Sequence, residues 1–177
     1  MLSSSKLTLR ALEPEDVSLL FQWENEFSLW FEGSTVVPFS HYELKQYIVN
    51  AKDIFSDKQY RFIIEDNRLK EAIGTIDLFD FDPMNQRVEV GVFLQEDFRR
   101  MGYATESIRL IKEYAFKFLG VKQLYAHICE ENQISIDLFE KCGFKIDGIK
   151  RDAVYRDGKF HRLYLFSIIK EEFINDK

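Results

Sequence analysis

Two cysteines, three prolines and three histidines are all that the 177 residues contain of these types. Cys129 and Cys142 form no Cys-x-x-Cys pair and are too few for a disulfide scaffold, so a reducing, cytoplasmic setting is expected. His41, His127 and His161 do not cluster in the sequence, and no metal site is expected. Basic charge is also short: 24 Lys and Arg stand against 30 Asp and Glu, a net charge of −6. That balance argues against a nucleic-acid-binding face and mildly favours a cationic partner. No apolar run approaches a membrane span, and the first six residues lack the apolar core of a signal peptide. Neither a Walker pattern nor Gly-x-Gly-x-x-Gly occurs, which removes the commoner nucleotide loops.

What is present is apolar and aromatic, at 46% and 15% of the chain, with 17 Phe. One domain over 1–177 with a real core is expected. Arg87 to Leu94 alternates strictly: Val88, Val90, Val92 and Leu94 on one side, Arg87, Glu89, Gly91 and Phe93 on the other. This is a strand with one buried face. From Gly102 the period becomes helical, with Ile108, Ile111, Ala115 and Phe118 on one face up to Leu119-Gly120. Between strand and helix lies Arg99-Arg100-Met101-Gly102-Tyr103-Ala104. Basic residues followed by small ones, where helix N–H groups have no partner, suit an anion such as phosphate. A solvated surface turn accounts for the arginines equally well.

Before this segment the pattern predicts a strand at 6–10 and one bent helix from Pro14 to about Phe31. A second helix follows, capped by Ser40, and strands run over 60–65 and 72–81. After it come a strand at 122–129 and a short helix capped by Asn132 with Ser135, Leu138, Phe139 and Cys142 inward. A further strand, an Asp157-Gly158 hairpin and a last strand at 160–169 complete the chain. The order is mixed α/β, with antiparallel strands first and a parallel strand–helix–strand crossover in the middle.

Arg99-x-x-Gly102-x-Ala104, between a strand and a helix, resembles the acyl-CoA pyrophosphate loop of the GNAT N-acetyltransferases. Asn132-x-x-Ser135-x-x-Leu138-Phe139-Glu140-Lys141-x-Gly143-Phe144 is similar to a second segment of that family, and the element order matches over nearly the whole chain. The resemblance implies acetyl-CoA as co-substrate. It also implies a cofactor site made of Gly91, Val92, Phe93, Leu94, Phe98, Arg99, Arg100, Met101, Gly102, Tyr103, Ala104, Thr105, Asn132, Ser135 and Phe139.

An amine must lose a proton before it attacks a thioester, and Glu89 is the expected base. Backbone N–H groups near Val92 to Leu94 are expected to hold the oxyanion. Many family members place a tyrosine acid where this chain has Phe139, so Ser135, one turn earlier, is the expected substitute. The opening Leu7-Thr8-Leu9-Arg10-Ala11-Leu12-Glu13-Pro14 is similar to both the spermidine and the ribosomal-protein acetyltransferases. Trp30-Phe31-Glu32 resembles a segment of the spermidine enzymes. The expected acceptor is therefore a small cationic amine, with Glu32, Asp77 and Asp80 as contacts. A peptide N-terminus, an amino sugar and a non-catalytic acyl-CoA sensor remain alternatives, and a homo-oligomer is compatible with the family.

Overall fold

The computed structural model describes residues 2–30 and 37–175. Chain order is β1 (Leu2–Ser3), β2 (Leu7–Arg10), α1 (Val17–Glu24), α2 (Phe27–Trp30), α3 (His41–Asn50), α4 (Ile54–Asp57), β3 (Tyr60–Asp66), β4 (Ala72–Asp82) and β5 (Arg87–Leu94). There follow α5 (Tyr103–Glu113), β6 (Gln123–Cys129), α6 (Gln133–Lys141), β7 (Lys145–Arg156), β8 (Lys159–Ile169) and α7 (Lys170–Asn175). The strands form one sheet in the order β1-β2-β3-β4-β5-β6-β8-β7. Every neighbouring pair is antiparallel except β5 with β6, which α5 connects as a crossover. The expected mixed α/β order is observed.

One face of the sheet carries the main core. Val88, Val90, Ile76, Leu124 and Phe166 pack there against Ile108, Ile111 and Phe116 of the crossover and Ile136 and Phe139 of α6. A smaller core of Leu20, Leu44 and Ile48 joins α1 to α3. Ser40 opens α3 as expected, in a reciprocal cap with Glu43 that satisfies two backbone N–H groups.

Two helical expectations need correction. The single helix from Pro14 to about Phe31 is instead a 3₁₀ turn at Pro14–Asp16 followed by α1 and α2. Asn25 interrupts it, because its amide bonds both the N–H and the carbonyl of Phe39, at 2.8 and 2.9 Å. A side chain so engaged draws the backbone out of the helical ladder. In the crossover, α-geometry gives way at Tyr114–Leu119 to a π-helical turn. The wider turn rotates the face, so Phe116 is 1% exposed and Phe118, expected inward, is 78% exposed.

Candidate active site

β5 and β6 are paired at three positions, Arg87–Gln123, Val88–Leu124 and Glu89–Tyr125. Beyond Glu89 they part. β5 runs on to Leu94 beside β4, and β6 runs on to Cys129 beside β8. Glu89 sits at the fork. Its Oε1 accepts the backbone N–H of His127 at 3.2 Å and lies 2.8 Å from Nδ1 of the His127 ring. The carboxylate thus replaces the ladder bond lost where the strands diverge. As the alternation predicts, Glu89 faces away from Val88 and Val90 of the main core, yet it too is buried, at 7% exposed.

On the same face as Glu89, Gly91 lies under Phe79, whose ring would stand 3.2 Å from any Cβ placed there. Phe93 meets Trp23 of α1, with ring centroids 5.5 Å apart. Tyr125 stands edge-on to His127 at 5.8 Å. Burial pushes the Tyr125 phenol up, with Glu89 and Asp80 adding to the effect, so it stays a neutral hydroxyl. These groups line the open side of the sheet beside the fork.

The predicted phosphate loop closes the far end of β5. A 3₁₀ turn at Glu96–Phe98 leads to Arg99, whose Nε donates to the Leu94 carbonyl at 3.1 Å. Arg100 and Gly102 both take the left-handed conformation, at φ +59° and +83°, and Gly102 opens α5. No side chain caps α5, so its first-turn N–H groups and the positive end of its dipole are offered outward. This donor set fits a pyrophosphate. Met101, Ala104 and Thr105 complete the loop.

Tyr103 holds the loop from beneath. It is 5% exposed, meets Phe98 edge-on, and its hydroxyl donates to one oxygen of Asp66. The other Asp66 oxygen accepts the N–H groups of Arg68 and Leu69, at 2.8 and 2.7 Å. Tyr103, and then the Leu69 amide, hold the Asp66 carboxyl below the usual range. Lys6 places its ammonium 4.3 Å above the Tyr103 ring and donates to the Met101 carbonyl.

α6 flanks the gap on the β6 side. Asn132 caps it, its Oδ1 accepting the N–H of Ser135 at 3.0 Å. Ser135 is half-buried in the first turn, and the inward position is held by Ile136 instead. Phe139, expected at the cofactor, is 3% exposed and packs edge-on against Phe144 at 4.9 Å, as a core residue does. The buried Lys112 of α5 donates to the Cys142 carbonyl at 2.6 Å and ties the two flanking helices together.

The expected acceptor carboxylates are not equivalent. Asp77 is gripped by Arg61 through two bonds of 2.8 and 2.7 Å, and Glu24 binds the third nitrogen of the same guanidinium. Arg61 lies 5.9 Å from the Tyr47 ring. Asp77 is therefore not the free carboxylate expected, because β3 places an arginine opposite it. Asp80 is exposed in a bulge of β4, at φ +48°. Glu32 lies outside the described residues. Among the described residues no three His, Cys, Asp or Glu side chains converge as metal ligands would. None of their helices is long and apolar enough to cross a membrane.

Trp23, Arg61, Asp66 and Lys6 carry no sequence signal that would place them in this region. Tyr125 and His127 can be placed from sequence on the strand beside the cofactor, but only the structure turns them toward Glu89.

An acetyltransferase (GNAT) domain model matches residues 6–145. The chain is 26% identical to the spermidine N(1)-acetyltransferase of Vibrio cholerae, over 97% of this chain and 98% of that one. An uncharacterised N-acetyltransferase of Bacillus licheniformis is 29% identical, over 97% of each chain. The crystal structure of the Vibrio cholerae enzyme in complex with CoA and spermine superposes with a TM-score of 0.85 at 26% identity, covering 97% of this chain and 100% of that one. A dodecameric structure of the same enzyme gives 0.82 at 27% identity, covering 98% and 99%.

Proposed function

Since the chain belongs to the GNAT acetyltransferase family and is an acetyl-CoA-dependent acetyltransferase, we propose that its acceptor is a primary amine of a small polycation, of the polyamine class. The observation that carries this reading is the fork between β5 and β6. It opens between the uncapped start of α5 and a buried carboxylate–imidazole pair, beside the rings of Trp23, Phe79 and Phe93.

When bound, acetyl-CoA supplies a thioester carbonyl as acyl donor. The first-turn amides of α5 and the Arg99–Thr105 loop hold the pyrophosphate. The edge of β5 from Gly91 to Leu94, unpaired with β6, lies against the arm and polarises the carbonyl. Glu89 and His127 together accept the amine proton. Ser135 and Asn132 sit where α6 borders the gap, and Ser135 serves the departing thiol.

Two features support a cationic acceptor. Glu24 and Asp77 share one arginine, which leaves a net negative charge, and Asp80 adds a free one. Such a cleft concentrates polycations in a salt-dependent way. The relative solved with spermine is alike over nearly the full chain. An assembly of several copies is part of the proposal. The dodecameric relative and the exposed Ile146, Ile149, Tyr155 and Phe160 at the open β7–β8 edge support it. The unpaired thiols of Cys129 and Cys142 suit a reducing compartment.

The test follows free thiol from acetyl-CoA with spermidine, a basic peptide and a neutral amino sugar, each at low and moderate salt. Spermidine should give the highest kcat/KM and lose most as salt rises. A preference for the peptide would move the reading to N-terminal acetylation. Preference for the sugar without salt dependence would refute a cationic acceptor. CoA binding without turnover on any amine would point to a sensor.

A further inference from the structure

We propose that the proton acceptor is Nε2 of His127 and that Glu89 is its positioning residue. This rests on the acetyl-transfer reading above and assigns the roles within its proton-accepting pair.

The geometry separates the two partners. Glu89 Oε1 already receives the His127 backbone N–H at 3.2 Å and faces Nδ1 at 2.8 Å. A carboxylate in that position holds the proton on Nδ1 and leaves the lone pair on Nε2. No hydrogen bond to Nε2 is made among the described residues. Accessibility agrees: the His127 side chain is 22% exposed and that of Glu89 is 9%. The imidazole is the member that a substrate can reach, and the carboxylate lies behind it. Tyr125, edge-on to the ring, limits its rotation.

The arriving ammonium gives one proton to Nε2 and becomes the free amine. Its lone pair forms the N–C bond to the acetyl carbon, and the C–S electron pair leaves on sulfur. The second nitrogen proton reaches the thiolate through water and the Ser135 hydroxyl, and His127 returns its proton to solvent. The balance is ammonium plus thioester giving amide, thiol and one proton. The charge on the imidazolium is compensated by Glu89 while it lasts.

The experiment begins with thiol release by the wild type on spermidine, then compares His127→Gln with Glu89→Gln. The first should lower kcat by about 10²–10⁴-fold, with CoA affinity and Tm kept. Added imidazole should restore part of the rate in His127→Ala. In ¹⁵N spectra the wild-type ring should carry its proton on Nδ1, and Glu89→Gln should shift the population toward the Nε2–H tautomer. A His127→Gln enzyme near the wild-type rate, or a wild-type ring protonated on Nε2 alone, would overturn the assignment while leaving acetyl transfer intact. A wild type that releases no thiol with any amine would remove the underlying reading instead.

Discussion

Removing a single oxygen atom, in Tyr103→Phe, tests how the proposed phosphate loop is held. The Tyr103 hydroxyl and Asp66 form a buried pair directly under the start of α5. A hydrogen bond to a charged group contributes about 1.5–3 kcal/mol. Asp66 keeps the amides of Arg68 and Leu69, so the lower part of that range, about 1.5–2 kcal/mol, applies. In a domain of this size each kcal/mol moves Tm by about 2–4 °C, so a fall of about 3–8 °C is expected. The loop carries two residues in the left-handed region, Arg100 and Gly102, which a loosened Tyr103 no longer fixes. Reordering one or two residues on binding costs about 1–2 kcal/mol, which weakens CoA affinity by about 5–30-fold. Calorimetric melting and titration with CoA measure both. In a double-mutant cycle with Asp66→Asn the two losses should overlap rather than add, since the residues share one bond. A lower Tm with unchanged CoA affinity would refute the reasoning, because the pair would then support the fold without shaping the loop.

Gly102→Trp should abolish CoA binding in a folded protein, since a side chain at φ +83° is strained and an indole there would cover the helix-opening amides proposed to hold the pyrophosphate; calorimetry with unchanged affinity would refute the loop assignment. Arg61→Met should destabilise by about 1–3 kcal/mol, because Glu24 and Asp77 lose their shared partner. Adding Asp77→Leu should recover part of that loss in Tm, and a further fall would be contrary to it. For acid stability, Asp16 is held low by Arg10 and the Glu13 amide against its own burial, and Asp66 by Tyr103 and the Leu69 amide. Folded carboxyls below their unfolded value of ~3.9 release protons on folding, so Tm should be flat above about pH 5 and fall as pH drops through the folded values. A Tm that rises on acidification would contradict this.

What could be read in the chain was whatever repeats along it. The two-residue period of 87–94 placed Glu89 opposite Val88 and Val90. Arg99-x-x-Gly102-x-Ala104 marked the turn that opens α5, proposed above as the phosphate loop, and Ser40 and Asn132 marked two helix starts. What escaped depends on partners distant in sequence. Lys6 reaches Met101 across more than half of the chain, and Arg61 finds Glu24 and Asp77 on two other elements. His127 acquires a role only because β6 lies parallel to β5 and then leaves it. Phe118 shows how periodicity fails: one π-turn changes the residues per turn and exchanges it for Phe116. Phe139 fits the motif spacing but belongs to the core, since spacing along a helix does not tell which neighbour a face meets.

The three rungs between β5 and β6 also bear on how the chain folds and stays folded. By backbone bonds the sheet is two antiparallel blocks, 2–94 and 123–169, the second in the order β6-β8-β7, stitched along one short seam. Within the first, β3, β4 and β5 follow one another closely in sequence, contacts of the kind that form early, whereas the seam needs the whole crossover to dock first. Local opening should begin at that seam, where few bonds must break to separate the two units. A molecule lodged in the wedge touches both blocks and adds its binding free energy to their union. In the proposed placement the acyl donor is thus also a strut between two folding units, and its departure after each turnover is the moment at which they are joined most loosely.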